Sequence, residues 1–356
     1  MKTTLGIIEG FYGRQYTIDE RDELIKFIAN KGYTYYIYAP KNDKSLRREW
    51  EKPFDSAKSE LLVHISNLCS KLNLDFGVGI SPLSITKEKD KQLDLLIKKI
   101  DWLLENTNLK IIAILFDDIS LYTDEEGKKQ NEIIKEVHTY LLSKNKSIRL
   151  IFCPTYYTFD PILDKVFGQR PLHYYDDIVK ELDKSIEIFW TGNKVLSKTI
   201  TKDDIEKANN LWGRKVTLWD NYPVNDGKFI SKHIYTRPFK NRSDLDGIVL
   251  SHAVNPMLEC KLNEVVLESL LSCYKGLDED TIEKERISRL KKLLPESYEK
   301  ISDILDILND EGIEALSDQM ITRLKNEVSS DRTKAAIEIC DFLNGIYKFD
   351  EACLTD

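Results

Sequence analysis

The chain has 356 residues, of which 42% are hydrophobic and 31% charged, enough for one large domain with a small one or for two medium domains. No apolar run reaches the roughly eighteen residues that a membrane-spanning helix needs, which excludes such a span. The net charge of −8 is unevenly placed: residues 277–356 hold 20 acidic and 11 basic residues, whereas the rest holds 40 and 41, a balance that excludes nucleic acid as the main partner and suits a neutral or weakly charged substrate.

In chain order, short β-branched or aromatic runs alternate with helical patterns. The opening segment Met1–Gly13 lacks a long apolar stretch and an A-x-A-like cleavage site, so a cytoplasmic location is expected. It passes directly into a first strand over Thr4–Ile8, followed by an amphipathic helix over Asp19–Asn30 with Leu24, Ile25, Phe27 and Ile28 on one face. Strands are expected next at Thr34–Tyr38, Asp75–Gly79, Ile111–Phe116, Ile148–Phe152, Glu187–Trp190, Val216–Trp219 and Gly247–Leu250. Helices over Ser56–Leu72, Asp90–Glu105, Lys128–Leu142 and Asn263–Tyr274 fall between or after them. Eight such units in about 270 residues predict an α/β fold of the (β/α)8 TIM-barrel kind over residues 1–276. The rival is a doubly wound open sheet, but no G-x-G-x-x-G follows any strand.

After Gly276 strand signals stop. Ile287, Leu290 and Leu294, then Ile301, Leu305 and Leu308, then Leu316, Met320 and Leu324, then Ala336, Cys340, Leu343 and Tyr347 recur at helical spacing. Residues 277–356 therefore read as a small C-terminal all-α bundle that packs on the barrel or serves as a homo-oligomer contact. The six cysteines form no C-x-x-C pair, and the five histidines show no H-x-x-x-H spacing. Single thiols in a reducing compartment are expected, with no metal site and no cofactor.

The sharpest chemical feature is Ile112-Ala-Ile-Leu-Phe-Asp117-Asp118. Adjacent side chains of a regular strand face opposite ways, but at the C-terminal mouth of a barrel strand the backbone leaves the pleat and both can reach one cavity. Two carboxylates forced together do not both ionise easily, so one stays protonated as a general acid and the other anionic. Glycoside hydrolysis uses that division of labour. A solvated loop is the bland alternative for an Asp-Asp pair; a preceding six-residue apolar strand favours function.

Other strand ends carry Glu9-Gly10-Phe11-Tyr12-Gly13-Arg14, Tyr38-Ala-Pro40-Lys41-Asn42-Asp43 and Trp219-Asp220-Asn221-Tyr222, with Asp226 close behind. Each alone has an ordinary reading: a tight turn, a surface lysine, a core tryptophan. Aromatic rings beside amide and carboxylate groups also suit a carbohydrate pocket.

Together the segments Gly6–Arg14, Tyr38–Asp43, Leu115–Ile119, Phe152–Tyr157, Trp190–Gly192 and Trp219–Asn221 resemble glycoside hydrolase family 84, the family of protein O-GlcNAcases and of bacterial enzymes once described as hyaluronidases. They stand in family order across nearly all of residues 5–275. The resemblance implies a retaining β-N-acetylglucosaminidase that removes terminal β-linked N-acetylglucosamine from glycoproteins or glycans. Its nucleophile would be the substrate's own acetamido oxygen, which forms an oxazoline. Asp117 would hold the acetamido N–H, and Asp118 would act as acid and then base. Gly10 (by its carbonyl), Lys41, Asp226 and Asn255 would bind sugar hydroxyls, and Asn221 would place the acetamido group. Tyr157 would bond the acetamido oxygen, while Trp219, Tyr157 and Cys153 would line the methyl pocket with Val195 at the rim. Tyr156 stands where many members carry an acid, and His252-Ala-Val-Asn255 departs from the usual approach to that asparagine.

Two other functions compete with this one. An idle sugar-binding module would have lost one of the carboxylates, and both are present. A hyaluronan-degrading enzyme would want a long basic cleft, which the charge distribution does not supply.

Overall fold

The computed structural model describes residues 2–144 and 147–355. Eight parallel strands close into a barrel in sequence order: β1 Thr4–Glu9, β2 Tyr35–Tyr38, β3 Asp75–Ile80, β4 Leu109–Leu115, β5 Arg149–Cys153, β6 Glu187–Trp190, β7 Thr217–Asp220 and β8 Ser251–Val254. Closure is made by β8 pairing with β1, Thr4 opposite Ser251 and Ile7 opposite Val254. The surrounding helices are α1 Ile18–Lys31, α2 Ser56–Lys71, α3 Lys89–Asn106, α4 Glu126–Ser143, the short α5 Ile162–Phe167 and α6 Tyr174–Val179, α7 Lys202–Trp212 and α8 Asn263–Tyr274. The fold is thus the expected (β/α)8 barrel.

Local chemistry sets the element ends. A reciprocal capping box between Thr17 and Glu20 starts α1, and Gly32 ends it at φ 90°, where a side chain would be strained. Polar side chains fill the floor of the barrel. Arg149 donates to both Glu187 oxygens at 2.7 and 2.9 Å, and Thr217 Oγ1 donates to the same carboxylate at 2.6 Å. The Tyr35 ring crosses the barrel only because Gly6 has no Cβ; one would sit 2.1 Å from that ring.

The eighth strand lies elsewhere than expected. Gly247–Leu250 forms a turn, and the strand runs from Ser251 to Val254. Gly247 has φ 74°, the Ile248 and Val249 amides fold back onto the Leu245 carbonyl, and Leu250 is 44% exposed. The apolar Ile248-Val249-Leu250 run was the stronger hydropathy signal. The strand itself carries polar groups that barrel neighbours satisfy: His252 meets Asp220 at 3.1 Å and the Tyr274 hydroxyl at 3.0 Å.

The C-terminal region is all-α: α9 Glu279–Leu293, α10 Tyr298–Asp310, α11 Asp318–Ser330 and α12 Lys334–Leu343. Its apolar stripe shares one hydrophobic cluster with the barrel. Polar groups also cross over. Asn309 Oδ1 accepts from the Thr236 and Arg237 amides, and Glu338 accepts from the Lys261 and Leu262 amides. Beyond α12 the chain returns to the barrel mouth, where Asn42 Nδ2 donates to Asp350 at 2.7 Å. No helix among the described residues is long and apolar enough to cross a membrane.

Candidate active site

The loops after the strands' C-terminal ends enclose a cavity at the mouth of the barrel. Every residue given a catalytic or sugar-binding role by the resemblance lines it: Gly10 after β1, Lys41 after β2, Asp117 and Asp118 after β4, Cys153 and Tyr157 at and after β5, Val195 after β6, Trp219, Asn221 and Asp226 at and after β7, and Asn255 after β8.

The β4 ladder ends when the Phe116 amide donates to the Cys153 carbonyl at 2.8 Å. Two residues on, Asp118 takes φ 56°, a left-handed conformation uncommon for a side-chain-bearing residue. Leaving the pleat there is what brings adjacent carboxylates to one cavity. Their surroundings then make them unequal. Lys41 Nζ donates to Asp117 Oδ2 at 2.5 Å, and both side chains are buried. Asp117 Oδ1 is buried with no hydrogen-bond partner, which leaves an open acceptor. Asp118 takes the Tyr12 hydroxyl on Oδ2 at 3.0 Å and the Tyr157 hydroxyl on Oδ1 at 3.2 Å. Burial, then the charge of Asp117, pushes the Asp118 carboxyl above the usual range; Lys41 and Arg47 oppose this without cancelling it. Burial also raises both phenols well above their usual value, so they remain neutral donors.

The opposite wall is a chain of amides. Trp219 Nε1 and Asn255 Nδ2 both donate to Asn221 Oδ1, at 2.9 and 3.1 Å. Asn221 Nδ2 donates to the Val195 carbonyl at 3.0 Å, and the Gly10 amide reaches Asn255 Oδ1 at 3.2 Å. Val195 is therefore buried wall rather than rim. Asp220 turns away from the cavity and anchors this wall. Arg242 donates to its two oxygens at 2.7 and 3.2 Å. Burial pushes its carboxyl up, but Arg242 and His252 outweigh that and hold it at about 2.

Some lining residues were not assigned from the sequence. Tyr12 lies inside the Gly6–Arg14 segment, so its signal was present. Thr191 lies in the Trp190–Gly192 segment, while Leu196 and Val224 sit in loops without a pattern and Ile230 opens the single 3-10 turn Ile230–Lys232. Cys353 and Thr355 arrive from the far end of the chain, where Thr355 reaches the Tyr157 side chain. Tyr156, the position that departs from the resemblance, is buried against Tyr174 and donates to the Gly168 carbonyl, away from the cavity.

A closed parallel barrel with two unequal carboxylates at its C-terminal mouth is an arrangement suited to acid–base chemistry on a bound ligand. More specifically, the chain belongs to the beta-N-acetylglucosaminidase family, whose model matches residues 5–306. Over 285 residues it is 31% identical to the Protein O-GlcNAcase of Rattus norvegicus and, equally, to that of Mus musculus. Each match covers 76% of this chain, and the chain spans 30% of the length of these relatives. An O-GlcNAc hydrolase of Thermobaculum terrenum, solved as a mutant, superposes with a TM-score of 0.77 at 25% identity, over 96% of this chain and 80% of that one.

Proposed function

We propose that this protein is a retaining β-N-acetylglucosaminidase that releases terminal β-linked N-acetylglucosamine by substrate-assisted catalysis. The observation that carries the reading is the inequality of the two carboxylates. Asp117 is tied to Lys41 on one oxygen and open on the other, whereas Asp118 is pushed toward protonation between two phenols.

In the first step the acetamido oxygen bonds to the anomeric carbon as the bond to the leaving oxygen breaks. Asp118 gives its proton to that leaving oxygen. Asp117 Oδ1 accepts the acetamido N–H and stabilises the positive charge that develops on the ring being formed. In the second step water attacks the anomeric carbon, Asp118 takes its proton, and the acetamido group is restored. Lys41, beyond holding Asp117, joins Gly10, Asp226 and Asn255 in binding hydroxyls. Asn221 places the acetamido group and Tyr157 bonds its oxygen. Trp219, Tyr157 and the neutral thiol of Cys153 enclose its methyl. The substrate class is a glycoprotein or glycan bearing this sugar.

The test is hydrolysis of an aryl N-acetyl-β-glucosaminide beside the matching aryl β-glucoside. Cleavage of the first alone is expected. Cleavage of neither by folded protein would indicate an idle binding module, and cleavage of both at similar rates would exclude the acetamido nucleophile.

The wall geometry makes a further prediction. A Cβ at Gly10 would lie 2.5 Å from the Trp219 ring. Gly10→Ala should push that ring and, through Asn221, the acetamido site, lowering kcat/KM about 10- to 100-fold by misplacement of the substrate. Such overpacking also costs about 1–3 kcal/mol, so thermal unfolding should move down modestly while the protein stays folded at assay temperature. An unaffected kcat/KM would show that the Trp219 wall does not position substrate.

A further inference from the structure

The segment after β2 approaches both carboxylates. Lys41 grips the side chain of Asp117. Farther along, Asp43 caps a single 3-10 turn, Lys44–Leu46, by accepting from the Ser45 amide at 3.0 Å, and is itself held by the Tyr38 hydroxyl and by Lys58. That turn delivers Arg47, which is 9% exposed, and its Nη2 donates to the Asp118 carbonyl at 2.8 Å. Its guanidinium carbon lies 5.9 Å from the centre of the Tyr12 ring, whose hydroxyl bonds the Asp118 carboxyl. Nη1 is buried without a partner, so the guanidinium is held here despite unrecovered desolvation.

We propose that Arg47 is a positioning residue for the reaction: by binding the Asp118 carbonyl it holds that residue in the left-handed conformation that turns its carboxyl into the cavity. This rests on Asp118 acting as the general acid. The backbone is strained at the residue whose side chain must be aimed, and such strain persists only where surrounding contacts hold it. Arg47 supplies the charged contact on the carbonyl side, and Tyr12 and Tyr157 fix the carboxyl. Because the cation also favours the Asp118 carboxylate, its loss has an electrostatic signature that loose packing lacks.

The experiment compares wild type, Arg47→Met and Arg47→Lys on aryl N-acetyl-β-glucosaminides with good and poor leaving groups, across pH. Arg47→Met should lose about 10- to 100-fold in kcat/KM on the poor leaving group and much less on the good one, as expected for loss of a charged hydrogen bond that aims the acid. The basic limb of its profile should move to higher pH. Arg47→Lys keeps the cation, so its basic limb should stay near that of wild type with part of the loss recovered. It also carries the test if the methionine variant does not fold. Equal losses on both substrates with an unmoved limb, or no loss at all, would overturn the proposal. Failure of the wild type on either aryl substrate would instead remove the functional reading beneath it.

Discussion

Asp118→Asn should lower kcat/KM for a poor leaving group, such as an unactivated alkyl N-acetyl-β-glucosaminide, by about 100- to 10,000-fold, the usual range for removing a positioned general acid. A dinitrophenyl leaving group departs without a proton, so kcat/KM for that substrate should fall little. The parameter matters because kcat/KM reports only steps up to the first irreversible one. In the second step of the proposed mechanism Asp118 is the base, so kcat should drop even for the good leaving group, and a burst of released phenol should precede the steady state. The pH profile supplies an independent check. The proposed first step needs Asp118 protonated, and its carboxyl is raised by burial and then by Asp117, so wild-type activity should fall as pH rises through that elevated value. The asparagine variant should lack this basic limb. Equal losses for good and poor leaving groups would contradict the acid role.

Much of the barrel was legible because it rests on repeated local patterns. The run Ile111–Phe116 reads as a buried strand, and it is one. The helix expected over Asn263–Tyr274 matches the observed element. Where hydropathy and topology disagreed, topology prevailed. Ser251–Val254 is poorer in apolar character than the run before it, yet it alone stands in register with β1 and β7. The cavity was legible for a different reason: barrel strand ends converge, so residues that follow apolar runs are brought together whatever their separation in sequence. That logic reaches Asp117 and Asn221; Asn255 came from the family resemblance alone, because the strand it follows was expected four residues earlier, at Gly247–Leu250. The same logic does not reach Arg47, which follows a surface-like Lys44-Ser45-Leu46 turn, or Thr355, which returns to the mouth after four helices. Nor does residue type disclose that Lys41 binds a carboxylate; only its burial against Asp117 distinguishes it from a surface lysine.

Asp117→Asn should behave differently from Asp118→Asn in two measurable ways. The asparagine carbonyl can still accept from Lys41 or from an acetamido N–H, so the variant should fold and bind sugar. It lacks the negative charge that meets the charge developing on the acetamido group, an interaction formed mainly in the transition state. Loss of such a preorganised electrostatic contact costs about 100- to 1,000-fold in kcat. That loss should be similar for dinitrophenyl and poor leaving groups, since both require the same attack by the acetamido oxygen. The second distinction lies in the pH profile. The Asp117 charge is one of the causes that raise the Asp118 carboxyl, so removing it lowers the pKa of Asp118 and moves the basic limb to lower pH. Arg47→Met should move the same limb upward, because the lost charge there has the opposite sign. Opposite displacements would establish that both groups act on one ionisation, that of Asp118. Near-normal turnover by Asp117→Asn would remove the substrate-assisted mechanism, whatever the direction of the limb.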